Sequence, residues 1–192
     1  FGVNNRRILA ARLAWGRLKL QQGDYASAME IAELVEERAS VVFSKNALQH
    51  ASALMLKAET STSLGDHQQA ATDITKALQV YTDILCERHF EVAQMYAKLA
   101  MALFADNSAN AHVHQYLQKA AKIIEDRLGI ETPAYAQLLA YTAYLNIAEG
   151  KYPEAFKNLE AAEKVWVKKV GKRNNVNAAT INLLLGDVHY NL

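Results

Sequence analysis

Apolar residues recur along this chain at spacings of three and four, the period of an amphipathic helix, in stretches separated by short polar or glycine-bearing breaks. Four such stripes stand out. Ala28, Ala32, Val35 and Ala39 share one face, as do Ala70, Ile74, Ala77, Leu78, Tyr81 and Leu85. Val113, Leu117, Ala120, Ile124 and Leu128 form the third stripe, and Ala155, Leu159, Ala162, Trp166 and Val170 the fourth. Another helical stretch precedes each. The first runs from a cap at Asn4 or Asn5 to about Gln22, the second over Ala51–Leu64, the third over Glu91–Ala105 and the fourth over Pro133–Glu149. Gly23, Gly65 and Gly150 are placed to end helices in a left-handed turn. Asp24 and Asp66 offer carboxylates to cap the helices that follow, and Gln69 is placed to complete a capping box with Asp66. Pro153 suits a first helical turn, where a missing N–H costs little. Asn177–Leu192 reads as one more helix of the first kind, without a second helix, covering the apolar face left by Leu159, Ala162 and Trp166.

The pattern is a repeat. Gly23-Asp24-Tyr25-Ala26-Ser27-Ala28 returns 42 residues later as Gly65-Asp66-His67-Gln68-Gln69-Ala70. It returns again, 85 residues further on, as Gly150-Lys151-Tyr152-Pro153-Glu154-Ala155. Two steps fit in that interval, with the polar break Asp106-Asn107-Ser108 between them. A period of this size means stacked supersecondary units. The expected architecture is all-α: antiparallel helix pairs over about 4–45, 46–88, 89–130 and 131–173, plus a capping helix at 177–192, in a single repeat domain spanning 1–192. Val35, Ala77, Ala120 and Ala162 recur in register, where small side chains let helices approach closely. Stacked pairs build elongated surfaces, and such surfaces bind other proteins.

The second helices carry Ala28-x3-Ala32-x2-Val35, Ala70-x3-Ile74-x2-Ala77, Val113-x3-Leu117-x2-Ala120 and Ala155-x3-Leu159-x2-Ala162. The first helices carry Trp15-Gly16, Leu99-Ala100 and Leu185-Gly186, with Ala143 in the same place. This resembles the tetratricopeptide repeat, W-x2-L-G-x2-Y followed by A-x3-F-x2-A, whose unit is about 34 residues. The longer unit here is similar to the kinesin light chain subclass, with its inter-repeat L-G-x-x-H-P-x-V-A. Leu85-Cys86-Glu87-Arg88-His89-Phe90-Glu91-Val92-Ala93 matches that segment in part, as do the stretches beginning Leu128-Gly129 and Val170-Gly171. The resemblance implies a right-handed superhelix that binds protein segments in a concave groove. The Asn pairs with which that subclass holds a peptide backbone are replaced by Met55-Leu56, Ala97-Lys98, Ala140-Tyr141 and Leu183-Leu184. The carboxylate-clamping set of some tetratricopeptide repeats is also absent, with Leu13, Arg17, Met55 and Glu59 in its places.

Mapped through that resemblance, the first helices face the groove. The candidate partner-binding residues are Arg17, Glu59, Lys98, Met101, Phe104, Tyr141, Tyr144, Asp187 and Tyr190, with Gln21, Thr62 and Ile147 beside them. The expected function is a protein–protein interaction scaffold that takes a peptide or helical segment. The alternative is a sensor domain whose groove holds a small ligand or an intramolecular segment and controls an attached effector.

Composition narrows this picture. A net charge of +1 gives no pull toward nucleic acid or anionic membrane, so neither is expected as a partner. The single cysteine, Cys86, allows no internal disulfide and favours a reducing, cytoplasmic setting. The chain begins with Phe1 and reads as a piece of a longer protein. No nucleophile, paired carboxylates or phosphate loop points to an enzyme, and no cofactor is expected. His112 and His114, two apart on a helix, point to different faces and read as solvated, so no metal is expected. Lys164, Lys168, Lys169, Lys172 and Arg173 form a basic run that Glu160 and Glu163 are spaced to pair with in part.

Overall fold

The computed structural model describes residues 5–43, 47–106, 110–170 and 176–191. Asn4, Asn107, Ser108, Lys172 and Arg173, singled out above, lie outside the described residues. The elements are α1 (Arg6–Gln21), α2 (Tyr25–Phe43), α3 (Leu48–Leu64), α4 (His67–Leu85), α5 (Phe90–Ala105), α6 (Asn110–Leu128), α7 (Pro133–Ala148), α8 (Tyr152–Val170) and α9 (Val176–Asn191). No strand occurs among the described residues, and the fold class is all-α helical repeat, as the apolar period implies. The chain divides into two compact units, Phe1–Asn110 and Ala111–Leu192.

Local chemistry sets the helix ends. Asn5 caps α1 by accepting from Arg7 N–H, and Asp24 and Asp66 accept from Ser27 and Gln69 N–H at 3.2 and 3.0 Å. Thr132 caps α7 by accepting from Tyr135 N–H. Gly23, Gly65, Gly129 and Gly150 all have positive φ, so each turn uses the conformation that glycine adopts without strain. Most helix ends fall within a residue of the sequence expectation, and two features depart from it further. The third helix starts at Leu48 rather than Ala51, because its first turn, Leu48-Gln49-His50, carries no apolar stripe by which to recognise it. Gln69 does not close a capping box: its side-chain amide donates forward to buried Asp73, 3.0 Å away. That bond satisfies a carboxylate removed from water, a stronger demand than an exposed cap N–H makes.

Cys86 stands where Gly129 stands in the next repeat, and it also has positive φ, 69° with ψ 157°. That region is nearly reserved for glycine and costs other residues about 1–3 kcal/mol. Cys86→Gly is therefore expected to raise stability by about 1 kcal/mol, after the extra unfolded-state freedom of glycine is subtracted. Denaturant unfolding with an unchanged midpoint would contradict the strain.

In the first unit Leu9 and Leu13 of α1, Ala32, Val35 and Ala39 of α2, and Ala53 and Leu56 of α3 make one core. In the second, Ala136 and Ala143 of α7 meet Ala155, Leu159 and Ala162 of α8 and Ile181 and Val188 of α9. The register residues Val35, Ala77, Ala120 and Ala162 are all fully buried. Leu128, assigned to the third stripe, is instead exposed, since it lies in the last turn of α6 beside Gly129.

Candidate partner-binding faces

Within the first unit, α1, α3 and α5 repeat at a step of 42, so Arg17, Glu59 and Met101 occupy one position in three successive helices. Arg17 is exposed, and Glu59 and Met101 are half-buried. The Lys98 ammonium on α5 pairs with the Glu59 carboxylate on α3, so two of the candidate residues meet directly. Arg17 makes no ion pair among the described residues. Phe104, one turn beyond Met101, is half-buried. This face is polar and cationic at α1, ion-paired between α3 and α5, and apolar at the end of α5.

Within the second unit, Tyr144 of α7 and Asp187 of α9 continue the same register position at a step of 43. Tyr144 is 46% exposed and Tyr190 91% exposed, and Asp187 is exposed. Tyr141 is more withdrawn. Burial pushes its phenol above the usual range, partly offset by the hydrogen bond that Gln137 Nε2 donates to Tyr141 Oη at 2.8 Å. Gly186 was aligned with the small packing residues Gly16 and Ala143, yet it is exposed, with no heavy atom within 4 Å of where a Cβ would lie. The reason is that no helix lies over this side of α9 among the described residues.

Two charged groupings in the first unit escaped the sequence reading. Lys57 Nζ of α3 bonds Glu36 Oε2 of α2 at 2.9 Å. Burial alone lowers the Lys57 pKa, but the Glu36 bond and the charges of Glu36 and Asp73 outweigh it and hold the ammonium above its ordinary value. Fully buried Asp73 is held by Gln69 and by Lys76, whose Nζ is 3.5 Å away. The first pair joins two helices, which residue spacing does not announce; the second lies within α4 at helical spacing, and what spacing does not announce there is the burial of Asp73.

His114 is not simply solvated. Its Nε2 lies 2.8 Å from Glu149 Oε1, and Lys151 Nζ is 2.7 Å from Glu149 Oε2. The Lys151 bond first, and then His114, hold the Glu149 carboxyl below its usual range. Lys168 pairs with Glu131 at 2.7 Å rather than with Glu160 or Glu163, because the loop before α7 brings Glu131 to it. No group of three or more His, Cys, Asp or Glu suited to a metal ion occurs among the described residues.

No family model matches the chain, and no curated protein matches it. Solved structures do. BtubC from P. vanneervenii superposes with a TM-score of 0.81 at 17% identity, over 96% of this chain and 73% of that one. A Podosopora anserina protein described as a kinesin light chain with nearly identical TPR-like repeats gives 0.75 at 17% identity, over 95% and 86%. A point variant of that protein gives 0.78 at 17% identity, over 100% and 88%. At this identity the likeness establishes fold. The chain has the TPR-like helical-repeat fold of those structures. No described helix is long and apolar enough to cross a membrane.

Proposed function

We propose that this chain is a protein–protein interaction module that holds a peptide or helical segment of a partner on the accessible face of its first-type helices. The observation that carries the reading is the register position shared by Arg17, Glu59 and Met101 in one unit and by Tyr144 and Asp187 in the other. It stays reachable by solvent in helices whose other faces are packed. Aromatic side chains and Met there supply contact area with few rotors, as interface anchors do. The chemistry is recognition without a bond made or broken: apolar burial at Phe104 and Tyr144, and charge matching at Arg17.

The test is quantitative capture of a partner from native lysate, followed by titration with the purified partner. Phe104→Ala and Tyr144→Ala, made singly, are each expected to weaken binding by about 2 kcal/mol. Lys168→Glu with Lys169→Glu is expected to alter mainly the salt-dependent association rate. A lysine variant that loses the partner while both aromatic variants keep it would move the site to the basic surface of α8.

A further inference from the structure

We infer that the outer faces of α2 and α8 are complementary, so that α2 of one copy of this chain docks antiparallel on α8 of a second copy. The argument begins with charges that the fold leaves unpaired. Glu30 and Glu37 on α2 are exposed, seven residues apart, and neither makes an ion pair among the described residues. Lys157 and Lys164 on α8 are likewise exposed, seven apart and without an ion pair. Glu160 lies four residues before Lys164, the spacing of a helical pair, yet the two form none. Seven residues are about two helical turns, so each pair projects from one side of its helix. That side lies away from the buried Ala28, Ala32 and Val35 of α2 and the buried Ala155, Leu159 and Ala162 of α8.

The four residues hold the same two places in the repeat. Glu30, Thr72, Gln115 and Lys157 are equivalent, at steps of 42, 43 and 42, and so are Glu37, Gln79, Lys122 and Lys164. Along the chain the pair of places is thus acidic in α2, neutral in α4, singly basic in α6 and doubly basic in α8. All eight residues are exposed. In α4 this holds although α3 precedes it, α5 follows it, and both pack against it. The exposure therefore belongs to the place in the repeat, and a neighbouring unit on either side does not cover it.

What selects a second copy is that one chain carries both halves of a charge-complementary contact, at equal spacing. The remaining residues of the two faces set its direction. In an antiparallel pair, Glu30 falls opposite the partner's Lys164, and the same centre puts Glu37 opposite the partner's Lys157. Glu33 then meets Ala161, and Val41, 79% exposed, meets exposed Pro153, apolar against apolar. A parallel pair would match the same charges but set Glu33 against Glu160, two carboxylates face to face, and Val41 against Lys168. The contact joins unlike surfaces of two copies and is heterologous.

The inference does not rest on the partner-binding reading, since it uses second-type helices alone. The test is sedimentation velocity of the 192-residue chain over a concentration series, at about 20 mM and about 500 mM salt. At low salt the mean mass should rise with concentration, and at high salt the association constant should fall by about tenfold or more. Glu30→Lys with Glu37→Lys, balanced by Arg7→Glu and Arg17→Glu so that the net charge stays +1, should weaken association at low salt by about tenfold or more. Glu30→Lys and Glu37→Lys combined instead with Lys157→Glu and Lys164→Glu exchange the two faces at the same net charge, and should restore it. Every changed position is exposed, and Lys and Glu are both good helix formers, so helicity and melting should hold. Tyr144→Ala should leave the association untouched, which separates this contact from the proposed partner site. A wild type that is monomeric at low salt, association that survives high salt, a balanced variant that associates as before, or an exchanged variant that stays monomeric would each overturn the proposal.

Discussion

Ending the chain at Val170 is expected to unfold α7 and α8 along with the loss of α9. Ile181 and Val188 are almost wholly buried against Ala136, Ala143, Ala155, Leu159 and Ala162, so removing α9 strips one wall from that core. Burying an Ile or Val side chain is worth about 1.5–3 kcal/mol. Two such side chains together contribute about 5 kcal/mol, against a total stability of about 5–15 kcal/mol for a typical domain. What remains of the second unit is then too small to hold its helices by itself. Hydrogen exchange over 133–170 should rise to the rate of an unfolded chain, while α1–α5 keep their protection. The exposed apolar surface should also promote aggregation. A truncated chain with the parent's protection in α7 and α8 would show that α9 adds nothing to the core.

Leu56→Ala is among the point changes with the largest expected cost, about 2–5 kcal/mol, since Leu56 is fully buried and its loss leaves a cavity. The pair Leu56 and Gly16 makes the explanation checkable. Gly16→Ala alone should destabilise in spite of the better helix propensity of alanine, because its methyl group would lie 2.5 Å from Leu56 Cδ2. Combined with Leu56→Ala, the same change fills part of the cavity, so the double variant should be more stable than the sum of the single effects predicts. Strictly additive denaturation energies would mean that Leu56 rotates away from Gly16 at no cost.

Much of the fold was legible because its determinants are local. Apolar spacing located the helices, glycine at a fixed offset located their ends, and Asp24 and Asp66 located caps that depend on three-residue geometry. The repeat then supplied the long-range order, since each unit is an instance of the same packing problem. The departures fall where a local signal was shared or absent. Gln69 was spaced for a cap but was claimed by Asp73, whose burial the sequence does not announce. Cys86 performs a glycine's turn without being one. His114 met Glu149 and Lys168 met Glu131 across 35 and 37 residues, beyond any helical spacing rule.

By itself, then, the sequence determined the secondary structure, the repeat period and the class of fold, because periodicity and capping act within a few residues. Tertiary structure decided which copies of a repeated position are covered. Gly16 and Gly186 are the same residue at the same place in the repeat, and only the helices packed over them distinguish a filled slot from an open one. The same holds for the candidate face. Identical register made Glu59 half of an ion pair, left Arg17 without one among the described residues, and left Asp187 in solvent. A side chain's partner depends on which elements surround it, and those are set by the stacking of helices distant along the chain.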